Sequence, residues 1–286
     1  LAARGRGFRR ATVLLLTLAL LAGAVYTVMA FVQRSETLVT ERCTADVGTQ
    51  HAELATDQAA NASLITAVAV QRGLPPRAAS IALATAMQES KLRNIDHGDL
   101  AGPDSRGLFQ QRPSQGWGTT EQVMDPYYAA NAFYDALVKI PGYETLEITD
   151  AAQRVQRSAF PTAYAQHEVM GRAFASALSG QTPEAMECTL RAPQEAGQPG
   201  SVGAELAQAY GALGTFPDGD SLVVEAGGSQ AWSVAHWAVA NAKDLAVTQV
   251  DVAGRSWLRE DQGGWQASDA PEGQVRITLA PAGTGD

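Results

Sequence analysis

Histidine and cysteine are scarce in this chain: four of one and two of the other among 286 residues. After residue 200 a single histidine remains, His236, too few for the three protein ligands of a catalytic zinc. His97 and His167 have no partners at metal-ligand spacing, and neither Cys43 nor Cys188 has a histidine neighbour arranged for nucleophilic work. No metal and no cofactor is expected. Basic clusters are missing beyond the N-terminus, and the formal net charge is −9. Nothing is available to neutralise a run of phosphates, which excludes nucleic acid as a partner. Internal repeats and coiled-coil heptads are absent as well, which excludes solenoids and long zippers.

Long apolar runs are also few, and the one present is at the N-terminus. Residues 1–10 form a basic end with Arg4, Arg6, Arg9 and Arg10, and residues 11–32 carry no charge. The length suffices for a bilayer span, and the basic flank puts the N-terminus in the cytoplasm and the rest outside. A cleavable signal is the rival reading, since Val28-Met29-Ala30 is an acceptable small-residue site. The run is longer than a usual signal core, which favours an uncleaved anchor over secretion. In an exported chain the pair Cys43 and Cys188 invites a disulfide, with two buried free thiols as the alternative. Closing so long a loop would stabilise the fold by on the order of 5 kcal/mol in the chain-entropy model.

A short, partly helical stalk is expected over 33–44, extending toward Ala55. Helical spacing of Leu64, Ile65, Val68 and Ala69 predicts a helix from about Asp57 to Arg72, closed by Gly73. Thr119 to Gln122 has the pattern of a capping box, and Asp125-Pro126 reads as cap plus first-turn proline of a helix to about Lys139. Further helices are predicted from Thr149 to about Ser158 and from Pro161 to near Leu178. Together these make an all-α domain over 45–190. Residues 191–204 are rich in Pro, Gly, Gln and Ser and read as a linker. Over 205–286 a helix from Ser229 to Asp244 and strands at Val247–Val252, Arg255–Leu258 and Val275–Leu279 predict a small α/β domain.

Pro75 and Pro76 sit where a first helical turn tolerates proline, so a helix is expected from about Pro76 to Ser90. On a helical period Ala82, Thr85 and Ala86 share a face with Glu89. A face of small residues points inward, and burial at the negative end of a helix raises a carboxyl pKa. A carboxyl kept protonated near neutral pH is what a glycosidic oxygen needs from a general acid. The plain alternative is a surface Glu in the last turn.

Glu89-Ser90, then Gly107-Leu108-Phe109-Gln110, then Asp125 to Asn131, then Ala163-Tyr164-Ala165 resemble, in order, the motifs of bacterial lytic transglycosylases and goose-type lysozymes. The resemblance covers about half the chain and is similar to the transglycosylase-like domains of actinobacterial cell-surface proteins. Two departures stand out: Phe109 replaces a Met, and Ala165 stands where the family has Asn. The resemblance implies a lysozyme-like fold with Glu89 catalytic in the cleft and Ser90, Gln110, Gln111, Asn131 and Tyr164 toward the substrate. The family works with a single Glu, the substrate N-acetyl group replacing a second carboxylate. Asp96, Asp99 and Asp104 are the loop residues from which a second carboxylate would come, with plain turn chemistry as the alternative. Trp117, between two glycines, suits stacking on a sugar ring, or else pins a loop to the core.

Ala235-His236-Trp237 with Gly254 to Trp257 and Gly264-Trp265 resembles a module related to D-alanyl-D-alanine carboxypeptidases, here without its zinc ligands, and so an accessory domain. The expectation is an all-α lysozyme-like domain plus a small α/β domain behind an N-terminal transmembrane helix. The expected function is cleavage of peptidoglycan glycan strands, as a lytic transglycosylase or a muramidase. The alternative is a non-catalytic wall-binding scaffold on the same fold. The acidic balance gives no electrostatic help with an anionic wall, so recognition would be local and sugar-directed.

Overall fold

The computed structural model describes residues 20–23, 26, 39–100, 102–156, 162–261 and 263–282. The chain divides into two units, Leu1–Thr40 and Glu41–Asp286. Of the first, the described part is a helical stretch at 20–23, Tyr26, and residues 39–40, which belong to no regular element. Among the described residues no helix is long and apolar enough to cross a membrane. The expected transmembrane helix falls on 11–32, most of which lies outside the described residues.

The second unit opens with a hairpin, β1 (Arg42–Val47) and β2 (Gln50–Leu54), and β1 also pairs antiparallel with β3 (Met186–Thr189). Cys43 stands opposite Cys188 in that register, and the two form a disulfide across 145 residues. This three-stranded sheet, ordered β2-β1-β3, overturns the expectation of an all-α domain and of a helical segment running to Ala55. The strands are short, and their inward positions hold Cys43, Ala45 and Ala52 rather than large β-branched residues. Propensity for a strand is therefore weak locally, and the partner strand is supplied from far along the chain.

Helices α1 (Thr56–Gln71) and α2 (Pro76–Ser90) follow, then a short α3 (Thr120–Met124), α4 (Pro126–Leu137), α5 (Ile148–Gln156) and α6 (Glu168–Leu178). Pro76 opens α2 as expected, and Asp125 caps α4 by accepting from the Tyr127 and Tyr128 amides. Ala78, Ala79, Ala82, Ala84 and Ala86 are all buried, so α2 packs with its backbone close to its neighbours. The tightest neighbour is α6: a Cβ at Gly171 would lie 2.7 Å from the Ser80 carbonyl oxygen. α2 ends in two left-handed residues, Lys91 (φ 57°) and Leu92 (φ 55°). Gln58 and Asn61 of α1 donate to their carbonyl oxygens, at 2.9 and 2.8 Å, and hold that turn.

Beyond β3, α7 (Pro199–Tyr210) begins inside the stretch expected to be a linker, with Val202 and Leu206 buried. Strands β4 (Gly214–Asp218), β5 (Ser221–Glu225), β6 (Val247–Val252), β7 (Arg255–Leu258), β8 (Trp265–Ala267) and β9 (Gln274–Leu279) make an antiparallel sheet ordered β4-β5-β9-β6-β7-β8. Helix α8 (Gly228–Ala240) lies between this sheet and the helices, touching α1, α6, β3, β6 and β9. Of its buried polar groups, Ser233 Oγ donates to Leu178 O (2.6 Å), and the neighbouring Asn241 Nδ2 donates to Ser63 Oγ (2.9 Å), while His236 Nε2 has no hydrogen-bond partner among the described residues. A Cβ at Gly180 (φ 71°) would collide with the Ser229 carbonyl oxygen, so α8 starts against the backbone that ends α6. Core residues run without a break from Ile65 and Phe174 to Val234 and Ile277.

Candidate active site

Ala82, Thr85 and Ala86 are fully buried, and Glu89 continues their face at the last turn of α2 into a cleft of about 1230 Å³. Tyr164, itself buried, donates its hydroxyl to Glu89 Oε1 at 2.7 Å. Gln156, at the end of α5, also hydrogen-bonds Glu89, and its Nε2 donates to Phe109 O at 2.8 Å. Loss of water around the carboxyl pushes the Glu89 pKa up; the Tyr164 and Gln156 hydrogen bonds pull it back, and the charge of Asp99 adds to the rise. The net shift is upward. The carboxyl is thus oriented on one oxygen, with its pKa above the ordinary carboxylate value, while it still reaches the cleft.

The Gly107 to Gln110 turn is fastened to the end of α2. Ser90 is buried, and its hydroxyl bridges Ala86 O (3.1 Å) and Leu108 O (2.7 Å). Leu108 and Phe109 are buried, with Phe109 stacked on Phe133 at a centroid distance of 4.6 Å. Gly107 has φ 77°, and a Cβ there would strike the Val123 carbonyl oxygen. The turn therefore requires glycine at that point. Gln110, also left-handed at φ 47°, reaches the cleft.

Of the residues expected near the substrate, Glu89, Gln110 and Trp117 line the cleft, and Tyr164 touches it through Glu89. Trp117 is half-buried: it faces the cleft and also packs against the core, so both roles weighed for it have structural support. Ser90 and Gln111 are buried behind the wall, Gln111 donating to Ala129 O at 3.0 Å. Asn131 is turned away, its side chain between Tyr127 O and the Arg72 guanidinium (2.9 and 3.0 Å). Its neighbours Ala132, Asp135 and Ala136 supply the cleft instead. Gln156, Arg154 and Lys139 in the lining had no motif to announce them; only the helix ends they occupy were legible.

Asp99 is in the cleft wall and accepts from the Gly102 amide at 2.8 Å. Asp104 accepts from Arg112 Nε (2.9 Å) and from the Ser114 amide (3.0 Å), and these bonds hold its carboxyl far below the usual range. Asp96 pairs with exposed His97. Far from the cleft, His236 is buried with Nδ1 against Ala177 O (2.7 Å) and its ring beside Trp232 and Trp265. Burial pushes its pKa down to about 4, so it packs as a neutral ring. Among the described residues no group of three His, Cys, Asp or Glu side chains is placed to hold a metal.

No known family model matches this chain, and none of the curated proteins does.

Proposed function

We propose that this protein cleaves the glycan strands of peptidoglycan, with Glu89 as general acid and then general base. The observation that carries the reading is one carboxyl, raised in pKa by burial, oriented by Tyr164 and Gln156, and facing a cleft larger than a usual small-molecule pocket. With Oε1 occupied by the Tyr164 hydroxyl, the proton sits on Oε2. It passes to the oxygen between N-acetylmuramic acid and N-acetylglucosamine as the C1–O bond breaks. Glu89, now ionised, takes the proton of the muramyl 6-hydroxyl, whose oxygen closes a 1,6-anhydro ring on C1. Water in place of that hydroxyl gives a reducing end instead. The disulfide fits an oxidising compartment. The basic end and the uncharged run 11–32 support a location at the outer side of the cell membrane, retained or secreted.

A wall-binding scaffold without activity is the second reading, favoured by Asn131 facing Arg72 rather than the cleft and by Ala165 after Tyr164. Mass analysis of peptidoglycan fragments after incubation with the purified chain separates the two. Anhydro products support the transglycosylase, products heavier by one water support the muramidase, and intact strands with retained binding support the scaffold.

A further inference from the structure

We propose that Lys139 and Arg154 form a carboxylate-recognising wall of the cleft, which selects glycans carrying a carboxylate over neutral N-acetylated glycans. The proposal rests on the reading of the cleft as a glycan site. Among the described residues, three cationic side chains besides His97 line the cleft: Arg112, Lys139 and Arg154. Arg112 is bound to Asp104 at 2.9 Å. Lys139 and Arg154 make no ion pair and no side-chain hydrogen bond among the described residues. The carboxylates in the same lining are otherwise engaged: Asp135 pairs with Arg72 at 2.6 Å, and Asp99 accepts from the Gly102 amide. In a chain of net charge −9, two cations in this cleft without an ion pair among the described residues call for an anionic ligand group.

Their placement says where on the ligand that group lies. Arg154 lies on α5 two residues before Gln156, the side chain that touches Glu89, and both line the cleft. Lys139 follows the end of α4, which packs on α5, and continues the same wall. A carboxylate met there belongs to a substituent of the sugar at the bond being cleaved. On peptidoglycan that is the lactyl carboxylate when free, or a carboxylate of the attached peptide. A neutral N-acetylglucosamine polymer has neither.

Calorimetric binding to the full chain tests this with three ligands: peptide-free strands with a free lactyl carboxylate, peptide-bearing strands, and N-acetylglucosamine hexamer. The wild type should bind carboxylated strands more tightly than the hexamer, and the difference should shrink as salt rises. Lys139→Gln with Arg154→Gln should weaken the carboxylated strands about tenfold and move the hexamer by about twofold or less. Loss on the peptide-free strands alone assigns the lactyl group, loss on the peptide-bearing strands alone assigns a peptide carboxylate, and loss on both assigns either carboxylate, since the lactyl carboxyl is an amide where the peptide is attached. Both side chains are exposed, so the variants should keep the wild-type melting temperature, and Arg154→Glu should reverse the preference. Equal binding of all three ligands by the wild type, binding of none, or equal losses in the variant would overturn the proposal. Absence of cleavage would defeat the proposed function alone, because these readouts concern binding only.

Discussion

The Tyr164 hydroxyl donates to Glu89 Oε1 at 2.7 Å, joining residues 75 apart in sequence and orienting the Glu89 carboxyl at the cleft. Tyr164→Phe removes a donor that favours the ionised carboxylate, so the Glu89 pKa should rise further. The high-pH limb of the rate profile, where a general acid is lost, should then move upward. Poorer orientation should lower kcat by about tenfold to a hundredfold, in the range expected for a misplaced catalytic group. A limb that stays in place would remove Tyr164 from the mechanism.

Glu89→Gln should abolish cleavage and leave the fold intact, because the amide cannot give and retrieve a proton. It should also alter stability with pH. The folded pKa is raised above the unfolded value of 4.5, so between the two the folded state holds a proton that the unfolded state has lost. Wild-type stability therefore falls as pH rises through that window. Glu89→Gln escapes this loss, and its melting temperature should exceed wild type above the folded pKa and match it below pH about 4. Thermal melts of both proteins across pH read this directly.

Trp117→Ala should weaken oligosaccharide binding by roughly 1 kcal/mol, about fivefold, through lost stacking. One part of the ring packs on the core, so the melting temperature should fall by a few degrees as well. Unchanged binding with a lowered melting temperature would leave Trp117 with a packing role alone.

Reduction of Cys43–Cys188, or Cys43→Ala with Cys188→Ala, should cost on the order of 4–5 kcal/mol in the chain-entropy model, since the bridge spans 145 residues. β1 and β3 should separate first, because they are the strands it joins. Denaturant melts with and without reductant measure the loss, and intact mass after alkylation without reductant should show no labelled thiol.

Gly180→Ala should destabilise the chain by about 3 kcal/mol or more, as the new Cβ meets the Ser229 carbonyl oxygen at a left-handed backbone position. Because α8 begins there, the loss should appear in one cooperative transition covering helices and large sheet together. Two separated transitions would show that the regions fold independently.

Much of the local structure was legible along the chain. Pro75-Pro76 and the small-residue face marked α2 and the inward position of Glu89, the alternation in Val247–Val252 marked β6, and Arg255–Leu258 read as the strand that is β7, both with their observed bounds. Two cysteines in a chain with an export-like N-terminus announced the disulfide. These signals depend on residues within a few turns of one another, where periodicity and capping act. The hairpin β1–β2 was hidden because Ala45 and Ala52 have little strand preference, and β3, which completes the sheet, comes only at Met186. The rotation of α4 was hidden too: one residue is about 100° of helix, which separates Asn131, held by Arg72, from Ala132 in the cleft wall. Periodicity sets which residues share a face. The long-range packing of α4, α5 and the Tyr164 segment around α2 decided which face meets the cleft, and so placed Gln156 and Tyr164 on Glu89.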